Sequence, residues 1–195
     1  MAQRREIRQS VGVSIRGGDS ERKTTFGDAD FDALSFHDCH IHGIELRTGD
    51  PGAGDWTHDL ALDIDFVVDG STGPDGRATF LVAPAWLVFL GVTGLRIAIE
   101  WAVGGTGQAL HPASISQIVR RQVDSHPQGR TPEYEWSVDL NWPDGGTIAF
   151  SARAFTMHLR GAPVEVDARQ HLSSEQRGPR PWPGMPSGGE CPARH

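Results

Sequence analysis

Residues 37–42 bring metal-ligating and acid–base side chains into one short run, His-Asp-Cys-His-Ile-His. Histidine, aspartate and cysteine are common ligands of transition metals, and histidine and aspartate also transfer protons. The sequence has no Gly-x-Ser-x-Gly nucleophile motif and no Gly-Lys-Ser/Thr phosphate-binding motif that would extend this run into a known catalytic arrangement. Two interpretations therefore stay open: a metal site and an ordinary start of a strand.

The metal interpretation depends on a β-bulge at Gly43. A bulge there would turn Cys39 toward the core and leave His40 and His42 pointing outward together. The predicted core side would hold Cys39, Ile41, Ile44 and Leu46. Two imidazoles on one face can bind a divalent metal when a carboxylate completes the shell. The candidate metal ligands are His40, His42, Asp38, Glu45 and His58.

The alternative interpretation gives the same run a structural role. His37 and Asp38 would cap the start of the strand, Cys39 would be a small core residue, and the next two histidines would lie on a solvated face. No cofactor is then expected.

Residues 40–45, His-Ile-His-Gly-Ile-Glu, resemble the first metal-binding motif of cupins, which are small β-barrels. The glutamate stands one residue too close and the second cupin motif is absent, so the resemblance implies a metal site and not the fold.

The body of the chain alternates between apolar and polar residues with a period of two, most clearly over residues 56–66, 95–101 and 133–142. One apolar face and one acidic face are typical of antiparallel strands that pack on one side and meet solvent on the other. Residues 142–147, Trp-Pro-Asp-Gly-Gly-Thr, predict a hairpin turn. A change of parity near residues 153–154 predicts a bulge.

Helix signals are short. Residues 112–121 predict a turn or two of helix, and residues 173–177 predict a short C-terminal helix. We therefore expect a single all-β domain over residues 31–177, either an antiparallel two-layer sandwich or an incomplete barrel, with one or two short helices. Residues 1–30 are predicted to be a flexible N-terminal arm and residues 178–195 a disordered Pro/Gly-rich tail, both mobile and dispensable.

The chain of 195 residues has a formal net charge of -7, and residues 31–172 hold nine basic and eighteen acidic groups. This acidity disfavours binding to nucleic acid and to anionic membranes. The N-terminal residues lack the apolar run of a signal peptide, and Cys39 and Cys191 fit reduced thiols, so we expect a cytoplasmic protein. The uncharged residues 78–95 are interrupted by a proline and two glycines, which favours buried strands over a membrane span.

Acidic residues on the polar faces of the predicted strands are candidates for contact with a protein partner. They are Asp59, Asp63, Asp65, Glu133, Glu135 and Asp139. Such faces would attract a basic partner and speed its association. The leading hypothesis is a non-enzymatic binding module; the alternative is a metal-dependent enzyme or metal-binding β-domain that uses His40 and His42.

Four segments resemble, in content and order, segments of small bacterial proteins of unassigned function. They are residues 36–41, which read Phe-His-Asp-Cys-His-Ile, and residues 59–65, 83–85 and 134–136. Some comparable single-domain bacterial proteins are immunity partners of toxins. The resemblance implies an immunity-type binding protein and carries no known catalytic residue.

Overall fold

Antiparallel strands dominate the computed structural model, which describes residues 23–101, 112–123 and 133–180, the side chain of Glu133 excepted. The strands are β1 (Thr25–Gly27), β2 (His40–Thr48), β3 (His58–Thr72), β4 (Ala78–Leu90), β5 (Thr93–Ala98), β6 (Ala113–Val123), β7 (Glu133–Trp142), β8 (Thr147–Ala152), β9 (Ala154–Leu159) and β10 (Val164–Val166). Two 3-10 helices, Asp28–Ala33 and Pro51–Ala53, and a short α-helix, α1 (Ser174–Arg177), complete the described elements. The predicted all-β antiparallel fold is confirmed, as is the short C-terminal helix.

All ten strands belong to one open sheet in the order β1-β9-β4-β3-β2-β6-β7-β8-β5, with β10 paired to β4. β2 and β6 are joined at His40 and Ile41 alone. The sheet folds over at this junction, because Phe89 of β4 packs against Trp136 of β7 with ring centroids 5.0 Å apart although the two strands are not neighbours. We call β1, β9, β4, β3, β2 and β10 the first layer, and β6, β7, β8 and β5 the second layer.

The core lies between the layers and follows the alternation in the sequence. Its buried members on β3 are Leu60, Leu62, Ile64, Phe66 and Val68, and those on β7 are Trp136, Val138 and Leu140. The predicted hairpin is also confirmed, because β7 ends at Trp142 and β8 begins at Thr147. Gly145 takes the left-handed conformation of this turn with φ of 75°.

The helix predicted over residues 112–121 is wrong, because this segment forms β6. Its pairing with β7 shifts register twice, between Ser114 and Ile115 and between Ile115 and Gln117. These irregularities place Ile115 and Ile118, three residues apart, on the core side, and such a separation imitates helical spacing. The β-branched residues favour a strand, and pairing with β7 along its length gives β6 backbone hydrogen bonds on one edge.

The parity change near Arg153 marks a transfer between the layers and not a bulge within one strand pair. β8 pairs with β7 and β5 in the second layer, whereas β9 pairs with β4 and β1 in the first layer. The buried side chains before the transfer are Ile148, Phe150 and Ala152, and those after it are Phe155 and Met157. Arg153 turns the chain so that both strands face the same core.

Described structure reaches beyond both predicted ends of the domain. Within the predicted N-terminal arm, β1 pairs with β9 and Phe26 is buried. Within the predicted C-terminal tail, Arg180 makes an ion pair with Asp63 of β3. The rest of the predicted arm and tail, residues 1–22 and 181–195, lies outside the described residues, and so does Cys191.

The uncharged stretch that begins at residue 78 forms β4 and the start of β5. Among the helices of the described residues, none has the length and apolar character needed to cross a membrane.

Candidate functional site

The start of β2 is fixed by Asp38, whose backbone has a left-handed φ of 63°. Its N–H donates to the carbonyl of Ile115 at 2.8 Å, and its Oδ1 accepts from Asn141 Nδ2 at 2.7 Å. His37 Nδ1 lies 3.1 Å from Asp38 Oδ2. These contacts give His37 and Asp38 the capping role that the structural interpretation predicts.

The predicted bulge in β2 is present, because its pairing with β3 shifts register between Ile41 and Gly43. Cys39 and Ile41 are buried and Ile44 packs against the core. Burial raises the pKa of the Cys39 thiol to about 12, so this thiol stays protonated at neutral pH. The core prediction is wrong for Leu46, which is 60% exposed because no strand of the described residues pairs with the other edge of β2 beyond the junction with β6.

His40 and His42 do not lie on a solvated face, so that prediction is wrong. The side chain of His42 is 15% exposed, and its Nε2 lies 2.9 Å from Asp65 Oδ2. His40 Nδ1 lies 3.3 Å from the carbonyl oxygen of Gln170, and its ring packs edge-on against His171. Burial lowers the pKa of His40, which favours its neutral form. Both imidazoles are covered because the chain returns over this side of the sheet after β9.

The five predicted metal ligands are not brought together. His40 and His58 stand at the two ends of the β2–β3 ladder, about 25 Å apart for strands that rise about 3.3 Å per residue. Glu45 is exposed between them, Asp38 precedes the strand, and His42 is engaged by a carboxylate of β3. Within the described ranges, no group of three or more His, Cys, Asp or Glu side chains is arranged to hold a metal ion.

A buried group of charges lies on the face of β3 that points away from the core. We call it the carboxylate–arginine cluster; it consists of Asp63, Asp65, Arg160, Arg177 and Arg180. Both aspartates are 0% exposed. The solvated outer face predicted for them is wrong, because residues 160–180, which we call the C-terminal segment, cover that face.

Arg177 joins the two carboxylates of this cluster. Its Nη1 donates to Asp65 Oδ1 at 3.0 Å, and its Nη2 lies 2.6 Å from Asp63 Oδ1. Arg160 Nη2 donates to the same oxygen of Asp63 at 2.7 Å, while its Nη1 donates to the carbonyl of Pro179 at 2.8 Å. A planar guanidinium suits this position because it presents several N–H groups to two acceptors at once.

The second oxygen of Asp65 accepts from the backbone N–H of Leu172 and from His42, each at 2.9 Å. Burial acts to raise the pKa of Asp65, but these hydrogen bonds and the charge of Arg177 outweigh burial and hold the pKa below its ordinary range. Leu172 is the one buried apolar residue of the C-terminal segment. The cluster is therefore ionised, and its ion pairs and hydrogen bonds hold the C-terminal segment on the sheet. It does not act as a proton-transferring pair.

We expect acid to weaken the attachment of the C-terminal segment to the sheet. Because the pKa of Asp65 is lower in the folded than in the unfolded chain, its stabilisation is complete above the ordinary carboxyl pKa of about 3.9 and is lost as the pH falls through the folded value. Urea unfolding should show a free energy of unfolding that declines below about pH 4, with Asp65→Asn declining less steeply by up to about 1.4 kcal/mol per pH unit. The other carboxylates with a lowered pKa, Asp30, Asp55 and Asp167, contribute to both proteins alike. Equal slopes for the two proteins would contradict this role of Asp65.

The other acidic candidates are already engaged within the fold. Asp59 accepts from the backbone of a turn, Glu135 pairs with Arg121, and Asp139 accepts from polar side chains on β6 and β7. The side chain of Glu133 lies outside the described residues. The second layer therefore presents mixed charges and not a purely acidic face.

A trench runs along the outer face of the second layer and encloses about 470 Å³. Its floor is formed by side chains of β7 and β8, which are small except for Glu135, and its walls by side chains of β5 and β6. The floor residues are Glu135, Ser137, Ala149 and Ser151, and the wall residues are Arg96, Val119 and Arg121. The walls stand about 14 Å apart, because β5 and β6 are separated by three strand spacings of about 4.8 Å.

The walls of the trench combine an exposed charge with exposed apolar surface. Arg96 is exposed and makes no hydrogen bond or ion pair with a residue that the structure describes. Val119 and Val123 on the same side of β6 are 43% and 36% exposed. Arginine is enriched where proteins bind one another, and an exposed apolar side chain beside it offers surface that a partner can bury.

Sequence reasoning missed the three arginines of the cluster and the floor of the trench, although both left a signal. Lys23 is the only lysine, so every other basic side chain except histidine is an arginine, the residue favoured in buried ion pairs. The trench floor appears in the sequence as small residues on the polar faces of two adjacent strands. What the sequence could not show is which distant segment covers a given face.

Comparison with known proteins adds no assignment to this geometry. No protein-family model matches the chain, and neither the curated proteins nor the solved structures give a significant match.

Proposed function

We propose that this chain is a cytoplasmic, non-enzymatic module that binds a protein partner through the trench of the second layer. The observation that carries this proposal is the trench itself, with mostly small side chains between two walls and the exposed Val119 on one of them. Arg96 brings a charge to the wall that no described residue neutralises. A partner side chain that entered the trench would therefore meet both apolar contact and a guanidinium that is not paired with a described residue.

The state of the reactive side chains also favours binding over catalysis. Asp63 and Asp65 are committed to arginines, His42 is committed to Asp65, and Cys39 is a buried, protonated thiol. A general acid, general base or nucleophile must reach a substrate in the required protonation state. None of these four side chains meets that requirement as placed.

Charge acts on such a partner at two distances. The net charge of -7 attracts a basic protein over long range and speeds its approach. Within the trench, Arg96 pairs with a carboxylate of the partner over short range. A basic toxin is one class of partner with these properties, as the resemblance to immunity proteins implies.

We expect Arg96→Glu to weaken binding of the partner at least tenfold. The reversed charge would face the partner's carboxylate, and opposed like charges at an interface cost several kcal/mol, whereas about 1.4 kcal/mol already gives a factor of ten. The partner is first recovered with the tagged wild-type chain from the source cell, and its affinity for each variant is then measured by calorimetry. Arg77→Glu is the matched control, because Arg77 lies on the turn between β3 and β4 with a side chain that is 87% exposed.

The two variants separate a specific contact from an effect of net charge. Binding that is lost with Arg96→Glu and kept with Arg77→Glu supports the trench as the interface. Equal weakening by both variants would mean that the affinity depends on the net charge of the chain and not on a contact in the trench. Failure of the wild-type chain to retain any protein would count against the proposed function as a whole.

A further inference from the structure

One oxygen of the carboxylate–arginine cluster lacks a well-aligned partner. Asp63 Oδ1 contacts both Arg160 and Arg177, whereas Oδ2 receives no hydrogen bond from a described residue although Asp63 is fully buried. The cation beside it is Arg180, whose Nε lies 2.9 Å away but outside hydrogen-bond geometry. An ion pair without an aligned hydrogen bond compensates the desolvation of a buried carboxylate oxygen only in part, so this oxygen favours a better-aligned donor.

Arg180 is the most loosely held guanidinium of the cluster. Its side chain is 47% exposed, compared with 7% for Arg160 and 4% for Arg177. The hydrogen bond from Arg160 to the carbonyl of Pro179 fixes the peptide unit that leads into Arg180. The Arg180 side chain therefore approaches Asp63 from a restrained backbone, which explains a close ion pair without alignment.

The guanidinium of Arg180 lies next to β2 at Gly43, where the strand has no side chain. A Cβ atom at Gly43 would lie 3.5 Å from Arg180 Nη1 and 3.6 Å from Asp63 Cβ. The guanidinium thus lies against bare backbone, with the carboxylate on one side and solvent on the other. We call this space, bounded by Gly43 and Asp63, the Gly43 opening.

We propose that the Gly43 opening is a binding site for a guanidinium group, in which Arg180 is an exchangeable occupant and an arginine from another molecule takes its place. A guanidinium that is not tied to the C-terminal segment can turn its N–H groups toward Asp63 Oδ2 and make the hydrogen bond that Arg180 does not make. Arg160 and Arg177 already balance the charges of Asp63 and Asp65. The site therefore selects by the planar arrangement of donors and not by positive charge alone.

The test removes the Arg180 side chain from the Gly43 opening and then adds a guanidinium compound in solution. Arg180→Ala is expected to leave a folded protein, because the substituted side chain is half exposed. Methylguanidinium at several times its dissociation constant should then raise the melting temperature of this variant by about 2–4 °C. The wild-type protein, whose opening is occupied, should respond less. Methylammonium at equal concentration should have no such effect, because it lacks the planar donors.

A second substitution keeps the test decisive without touching a charge. Gly43→Val in the Arg180→Ala background fills the opening, so the rise in melting temperature should disappear. The tripeptide Gly-Arg-Gly distinguishes the source of the ligand: stabilisation by the peptide assigns the site to protein-borne arginine, and stabilisation by methylguanidinium alone assigns it to small guanidinium compounds. Equal responses to methylammonium, or a response that survives Gly43→Val, would overturn the proposal.

Discussion

Replacement of Arg177 by methionine is expected to lower the free energy of unfolding by about 3–5 kcal/mol, the usual consequence of removing one partner from a buried ion pair. Asp63 and Asp65 would stay buried with one guanidinium fewer. Arg160 and Arg180 both pair with Asp63, so Asp65 would lose the one guanidinium that contacts it among the described residues. Since domains of this kind are stable by about 5–15 kcal/mol, the loss would be a large share of the total. Urea unfolding at neutral pH measures it.

The matched control lies in the same segment. Arg169→Met removes an arginine whose side chain is 77% exposed and whose partner, Asp167, is also exposed. Exposed pairs of this kind contribute about 0–1 kcal/mol. A double substitution, Arg177→Met with Asp65→Asn, should cost less than the sum of the two single changes, because it removes a buried charge from each side. A loss for Arg177→Met no larger than that for Arg169→Met would show that water reaches the cluster.

The strands could be predicted because their information is local. On β3 the sequence correctly separates Leu60, Leu62 and Ile64 from Asp63 and Asp65, since side chains alternate across a strand whatever else the chain does. The hairpin at residues 142–147 was predictable for the same reason, because proline and glycine restrict the backbone at their own positions.

The environment of a face could not be predicted in the same way. Alternation places Asp63 and Asp65 on the outer side of β3, but it does not say whether water or another segment lies there. The C-terminal segment reaches that face from about a hundred positions away in sequence, as the pairing of Asp65 with Arg177 illustrates. In the sequence, this segment is marked only by arginine in place of lysine and by one buried apolar residue, Leu172. These features are too few to show which face of the sheet the segment covers.

Irregular strands limited the prediction elsewhere. Two register shifts in β6 moved Ile115 and Ile118 to the same side and so imitated a helix. By contrast, the bulge at Gly43 could be predicted, because glycine inside an alternating strand is itself a signal of one. Sequence patterns therefore miss those register shifts that are not marked by a residue such as glycine.

Replacement of Trp136 by alanine is expected to cost about 3–5 kcal/mol, as for other large aromatic side chains in well-packed cores. The Trp136 ring lies 5.2 Å from Phe31, 5.0 Å from Phe89 and 5.8 Å from Phe155 between centroids, and its Nε1 donates to the carbonyl of Ala152 at 3.3 Å. These neighbours belong to both layers and to the 3-10 helix that follows β1. Alanine would therefore leave a cavity at the point where the two layers meet.

Urea unfolding of Trp136→Ala can be compared with that of Trp56→Ala, in which the same side chain is removed from a position that is 73% exposed. The control should stay within about 0.5 kcal/mol of the wild-type protein. Similar losses for both variants would mean that Trp136 does not join the layers, and the fold-over of the sheet at the β2–β6 junction would then need another explanation. A large difference would place the stability of the protein in the contact between β4 and β7, since the two residue pairs of the β2–β6 junction provide little backbone pairing between the layers.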